Sequence, residues 1–189
     1  KRLKIHYNIR KKQVKKDSGF DMINSPVWEN FNVHPIRKLH VHNFPWISKG
    51  TLDFLDRQAE TGKPFFLYAA TTAVHGPYHA DALDRDLRYT PEGFVEDVMD
   101  YESDREKIKQ ALKTVPRHEH HKYVGMVSLD HHVGLIMQRL KKLNLDQNTA
   151  IFFMSDHNTE PGKATCFEKG NRIPMIIKWP GKPDKGITS

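Results

Sequence analysis

Asp156, His157 and Lys163 share one polar loop, "SDHNTEPGK", set between the apolar runs "TAIFFM" and "RIPMIIKW". A carboxylate beside an imidazole offers an oxygen and a nitrogen to a cation. Adjacent residues of an extended chain point to opposite sides, so both reach one ion only if the chain bends where the strand ends. A carboxylate in that position is costly unless it meets a cation, a helix terminus or water. The competing reading is a loop-capping Asp with a surface His. Lys163 follows Gly162, which permits a tight turn and would carry an ammonium over a pocket mouth. Alone it reads as a solvated lysine; beside a cation and an anionic substrate it becomes a clamp on developing negative charge.

His75 lies in "AVHGPYH", where Gly76-Pro77 fixes the turn behind it. It is either a hydrogen-bonding loop residue or a general acid and anion ligand. Tyr78 and His79 are weaker candidates in the same segment. The clusters "RHEHH" and "LDHH" hold His118, His120, His121, His131 and His132, a residue type that can titrate near neutrality and could bind metal. Solvated helix positions are the expected outcome for them. Cys166, in "ATCFEKG", has no partner pattern that would make it a nucleophile, so packing is its expected role.

The elements that must position these groups are legible in outline. "ISKGTLDFLDRQAE" puts Leu52, Leu55 and Ala59 on one helical face, and Gly62 and Pro64 end the helix. "FFLYAAT" follows as a short apolar run of the kind that fills a strand buried on both faces. Residues 76–117 are polar, broken by prolines, and carry one expected helix near 100–113. A further helix is expected over about 121–143, with Val124, Val127, Leu135, Ile136 and Leu140 as its apolar stripe. "NLDQNT" turns the chain into "TAIFFM", and "RIPMIIKW" forms the next strand. A helix stop at Ser18-Gly19 and a short strand at Val27-Trp28 are expected earlier. Helix and strand alternate, which predicts an α/β domain with a largely parallel sheet and a ligand site outside the carboxyl ends of its strands. The polar loops after "FFLYAAT" and "TAIFFM" start at those ends.

Composition narrows the class. The 189 residues suffice for one domain with a core, and 38% hydrophobic with 28% charged residues is far from the imbalance that keeps chains disordered. The net charge of +7 is concentrated in "KRLKIHYNIRKKQVKK" and "HPIRKLHVH", without an RNP, zinc-finger or basic-zipper pattern. A solvated basic helix face is expected there, and no nucleic-acid partner. A single cysteine excludes an internal disulfide and a four-cysteine zinc site. No apolar stretch reaches the roughly 18 residues that a transmembrane helix needs.

Three segments, "KPFFLYAATTAVHGPYH", "YVGMVSLDHHVGLIMQRLKKLNLDQNTAIFFMSDHN" and "GKATCFEKGNRIPMIIKWPG", resemble the type I sulfatases of the alkaline phosphatase superfamily in order and spacing. The resemblance is strongest over residues 45–182 and covers part of the catalytic domain, with residues 1–189 as one partial domain. It implies a sandwich of helices around a mostly parallel mixed sheet. It also implies one divalent cation, calcium being the expected ion, and a sulfated small molecule or glycan as substrate. Asp156 and His157 resemble the late pair of metal ligands, Lys163 the lysine that contacts sulfate and leaving oxygen, and His75 the histidine that assists departure. Glu168, Gly170, Arg172 and Pro174 resemble the residues that position the return strand.

The family nucleophile, a formylglycine made from Cys or Ser in a Cys/Ser-x-Pro/Ala-x-Arg motif, has no counterpart among these residues. The early paired aspartates of the metal site and the upstream Gly-Lys segment are also missing. The chain therefore reads as an internal piece whose nucleophile is expected upstream, and which alone is inactive. A phosphatase or phosphonate hydrolase of the same superfamily and a catalytically inactive carbohydrate-binding relative are the alternatives.

Overall fold

The computed structural model describes residues 2–27, 31, 34, 36–96, 102–158 and 162–181. The chain divides into two compact units, Lys1–Arg139 and Leu140–Ser189.

In the first unit, helix α1 (Arg2–Ser18) is polar almost all round, and its basic residues are exposed apart from the half-buried Lys11. Tyr7 alone is buried, and it packs with Trp46, Ile47 and Val27. The helix stops where expected, because Gly19 takes a φ of +74° and donates its N–H to the Lys15 carbonyl, 3.3 Å away. Trp28, half of the expected Val27–Trp28 strand, lies outside the described residues.

Helix α2 (Phe44–Thr61) begins at Asn43, whose Oδ1 accepts the Trp46 N–H at 3.1 Å while its Nδ2 donates to the Leu87 carbonyl at 2.7 Å. Gly62, in the left-handed region at φ +63°, closes the helix. Leu52 and Leu55 are buried as their spacing predicts, and Ala59 is half-buried.

"FFLYAAT" departs from expectation. It is extended but forms no strand, and Phe66 and Tyr68 are 74% and 68% exposed. A strand buried on both faces needs neighbours along both edges and layers over both faces. The described residues supply neither; only Phe65, edge-on to Phe54, and Phe66, stacked on Phe20, find aromatic partners.

A 3₁₀ turn over His79–Asp84 follows, then a tight antiparallel hairpin of β1 (Tyr89–Thr90) and β2 (Gly93–Phe94). Helix α3 (Glu102–Leu112) lies where one helix is expected in the polar excursion. Helix α4 (His120–Lys142) buries Val124 and Leu140 and half-buries Val127, Leu135 and Ile136. It is tied to α2 by the Ser48–His132 hydrogen bond of 2.7 Å and by the Arg139–Asp56 ion pair.

In the second unit, Asn144 at φ +55° and the Leu145 N–H to Leu140 carbonyl bond turn the chain into β3 (Ile151–Met154). After the polar loop and the one-turn helix α5 (Glu168–Asn171), the chain returns as β4 (Met175–Lys178). Both expected strands exist, but they pair antiparallel, from Ile151 opposite Lys178 to Met154 opposite Met175. Every strand pair among the described residues is antiparallel, which corrects the expected parallel pairing. The strands are also exposed rather than buried, with Phe152, Met154, Ile176 and Ile177 all open to solvent.

Candidate active site

The 155–158 turn makes the bend that a shared ion would require. Ser155 takes up the Pro174 carbonyl through its N–H at 3.4 Å, and its hydroxyl donates to the His157 carbonyl at 2.6 Å. This folds the chain back on itself directly after β3. The His157 N–H then donates to Asp156 Oδ1 at 2.9 Å. His157 Nδ1 lies 2.6 Å from the Asn158 carbonyl; a carbonyl only accepts, so Nδ1 carries the proton and Nε2 the lone pair. That Nε2 stands 3.5 Å from Asp156 Oδ2. One carboxylate oxygen and one imidazole lone pair therefore converge, and the other ring nitrogen is held by a backbone carbonyl in the manner of metal-ligating histidines.

Lys163 occupies the next turn and is exposed. Gly162 is required here for close approach rather than for an unusual φ: a Cβ on it would meet the Lys169 carbonyl carbon at 2.4 Å. The left-handed residue is Ala164, at φ +62°. A Cβ on Gly170 would likewise meet the Gly162 carbonyl oxygen at 2.3 Å, so two bare backbones pack face to face behind Lys163. Glu168 and Arg172 form an exposed ion pair of 3.1 Å along α5, and the Pro174 carbonyl anchors Ser155. Cys166 is exposed, not packed, and its carbonyl accepts from Asn171 Nδ2.

His75 belongs to the first unit. Its ring is exposed, its N–H reaches the Thr72 carbonyl at 3.0 Å, and its Nδ1 donates to the Gly76 carbonyl at 3.1 Å. Asp156, His157 and Lys163 thus share one loop of the second unit. Among the described residues no group of three or more His, Cys, Asp or Glu is gathered closely enough to hold a metal. Asp156 and His157 alone bring one oxygen and one nitrogen together, 3.5 Å apart.

The histidines correct a second expectation. His118 stays solvated beside Glu119, but His79 and His132 are only 1% and 2% exposed, and so is His42 at 1%. His42 stacks on His79 with ring centroids 3.5 Å apart, and His121 follows at 4.8 Å. Desolvation lowers the pKa of His42 to about 4, opposed in part by the Pro77 and His75 carbonyls; burial, then His42 and His121, lowers that of His79 to about 3. Burial, with His131 nearby, brings His132 to about 4. All three rings are neutral at pH 7.

Helix α4 approaches this stack through Gly125, where a Cβ would meet Val74 Cγ1 at 2.8 Å and His79 Cδ2 at 3.0 Å. In G125A, overpacking of about 1–3 kcal/mol opposes roughly 1 kcal/mol of improved helix propensity. Because His79 is held between two rings, net destabilisation is expected in urea unfolding. An unchanged or raised midpoint would show that the stack yields.

A cleft of about 530 Å³ lies against α1 and α2, lined by Tyr7, Lys11, Trp46, Asp53 and Glu92 among others. None of the candidate residues lines it. Two of its charges are already paired, Lys49 with Asp53 at 3.1 Å.

A family model described as Sulfatase matches residues 4–189, which gives the chain an α/β fold of the alkaline phosphatase-like class. The chain belongs to the sulfatase family. It is similar to N-acetylgalactosamine-6-sulfatase from Canis lupus familiaris, 31% identical, with 73% of this chain and 24% of the relative covered. It is also similar to endo-4-O-sulfatase from Bacteroides thetaiotaomicron, 26% identical over 65% of this chain and 25% of the relative. Ulvan-active sulfatase from Formosa agariphila is 24% identical over 71% and 27%. The chain spans about a quarter of the length of these relatives. Among the described residues no helix is long and apolar enough to cross a membrane.

Proposed function

We propose that this chain supplies the late half of a sulfatase active site that hydrolyses sulfate esters of carbohydrates, and that residues 1–189 are part of one catalytic domain. The observation that carries this reading is the convergence of Asp156 Oδ2 and the His157 Nε2 lone pair, 3.5 Å apart at the end of β3, in a chain of the sulfatase family. The names of the relatives, which are sulfatases of N-acetylgalactosamine and of ulvan among others, support a sulfated glycan as substrate. The exposed apolar faces of β3 and β4 support their inclusion in a larger helix-covered sheet.

In this reading Asp156 and His157 hold a divalent cation, with calcium as the proposed ion, although one nitrogen ligand is unusual for so hard an ion. The bound cation would supply Lewis-acid polarisation of the sulfate, and a formylglycine segment outside these residues the nucleophile. Lys163 places an ammonium against the sulfate and leaving oxygens, offsetting the charge that builds as the ester bond breaks. His75 hands a proton from Nε2 to the departing alcohol.

The isolated 189 residues are expected to leave an aryl sulfate intact, whereas the same chain following its formylglycine segment hydrolyses it. Metal-dependent turnover by the isolated chain at an enzyme's rate would refute the division of the site.

A further inference from the structure

The loop that carries His75 is held from both sides by imidazoles that belong to other elements. His42, immediately before the Asn43 cap of α2, lies 2.8 Å through Nε2 from the Pro77 carbonyl and 2.7 Å through Nδ1 from the Thr72 hydroxyl. His121, in the first turn of α4, lies 3.2 Å through Nε2 from the Val74 carbonyl, and its Nδ1 accepts the His79 N–H at 3.0 Å. Carbonyls only accept, and the His79 amide only donates. The four contacts are therefore satisfied together when both rings are neutral and carry the proton on Nε2. Their anchor points, Thr72 and Val74 on one side, Pro77 and His79 on the other, bracket the exposed His75. Tyr78 stacks on His121 and donates its hydroxyl to the Arg117 carbonyl at 3.4 Å, which adds a third tie to the start of α4.

We propose that His42 and His121 are positioning residues that fix the backbone on either side of His75, and so set where its imidazole meets the leaving group. The proposal rests on the reading of His75 as the group that assists departure. Short polar loops have many accessible conformations, and a catalytic group displaced by about 1 Å can lose on the order of a hundredfold in rate. Four hydrogen bonds made by the buried His42 ring and the half-buried His121 ring remove that freedom without occupying the His75 imidazole. His42 performs this while stacked on His79 and edge-on to Phe31, at 5.2 Å between centroids, so its ring has little room to turn.

Two measurements test it. In the 189-residue chain, two-bond proton–nitrogen correlation spectra at neutral pH should show His42 and His121 as the Nε2–H tautomer. A Nδ1–H tautomer, or averaging between the two, at either residue overturns the clamp. In the protein that carries the formylglycine segment, H121L should lower kcat for an aryl sulfate by roughly tenfold to a hundredfold. H121Q, which keeps a donor toward Val74, should recover most of the loss. The double variant H75A/H121L should be no more than a few-fold slower than H75A, because His121 acts through His75. H121L without effect, or losses that multiply in the double variant, would overturn the proposal even where H75A is slow. H75A with full activity would instead sink the reading of His75, and the positioning role with it. H42L and H42Q should repeat the pattern, and tautomer spectra of the glutamine variants show whether the remaining ring keeps its state.

Discussion

In a protein in which a formylglycine segment precedes this chain, replacing Lys163 with alanine is expected to lower kcat for sulfate ester hydrolysis by about a hundredfold to a thousandfold, the usual cost of deleting one preorganised group that meets developing charge. Lys163 is exposed, so nothing in the fold depends on it, and the loss should come without a change in unfolding midpoint. The turn behind it is rigid for a reason unrelated to its charge: the bare backbones of Gly162 and Gly170 pack together, and the Thr165 hydroxyl donates to the Gly162 carbonyl at 2.7 Å. K163R keeps a cation but changes its reach and geometry, so partial activity is expected, well below that of the parent. Steady-state kinetics with an aryl sulfate, alongside urea unfolding of each variant, separates the two effects. A K163A protein that turns over normally would remove the lysine from the site.

The second large effect is on stability. His42, His79 and His132 have folded pKa values of about 4, 3 and 4, below the ordinary 6.5. Lowered values mean that the unfolded chain binds more protons than the folded one between pH 6.5 and about 4. Stability therefore rises with pH across this window: the contribution is whole above 6.5 and is lost as the pH falls toward 4. With all three rings titrating, the slope approaches about 4 kcal/mol per pH unit. That is enough to unfold a domain whose total stability is on the order of 5–15 kcal/mol within a few pH units. The urea midpoint should drop steeply between pH 6.5 and 5, and a midpoint flat over that range would mean that the three rings are not buried in the folded chain.

The helices were largely legible in the sequence because their signals are local. Gly62 and the Leu52–Leu55 stripe mark α2, and Gly19 ends α1. The strands were legible only as apolar runs. "IFFM" and "MIIK" became β3 and β4, but their direction of pairing depends on the path of the connecting loop, which no period of hydrophobicity encodes. "FFLYAAT" has the composition of a central strand, yet a strand exists only where another chain segment completes its hydrogen bonds. The hairpin at Tyr89–Phe94 left no trace, since two-residue strands are too short to show alternation.

The candidate site divides in the same way. The Asp156–His157 pair and the need for a bend were readable from the residues; the bend itself comes from Ser155, whose two hydrogen bonds could not be foreseen. The histidines misled for a physical reason. A His in a polar helix segment reads as solvated, and only tertiary packing decides that His132 meets Ser48 and that His79 is enclosed by His42 and His121. No local signal in "HPIRKLHVH" distinguishes buried His42 from half-buried His40.

The central proposal is that the loop carrying Asp156, His157 and Lys163 serves a sulfate ester. Its most direct test compares kcat/KM for an aryl sulfate and the matching aryl phosphate, using one preparation of a protein in which this chain follows a formylglycine segment. The sulfate is predicted to be the better substrate, with D156A abolishing the reaction. A preference for the phosphate, or sulfate hydrolysis that survives D156A, would contradict the account.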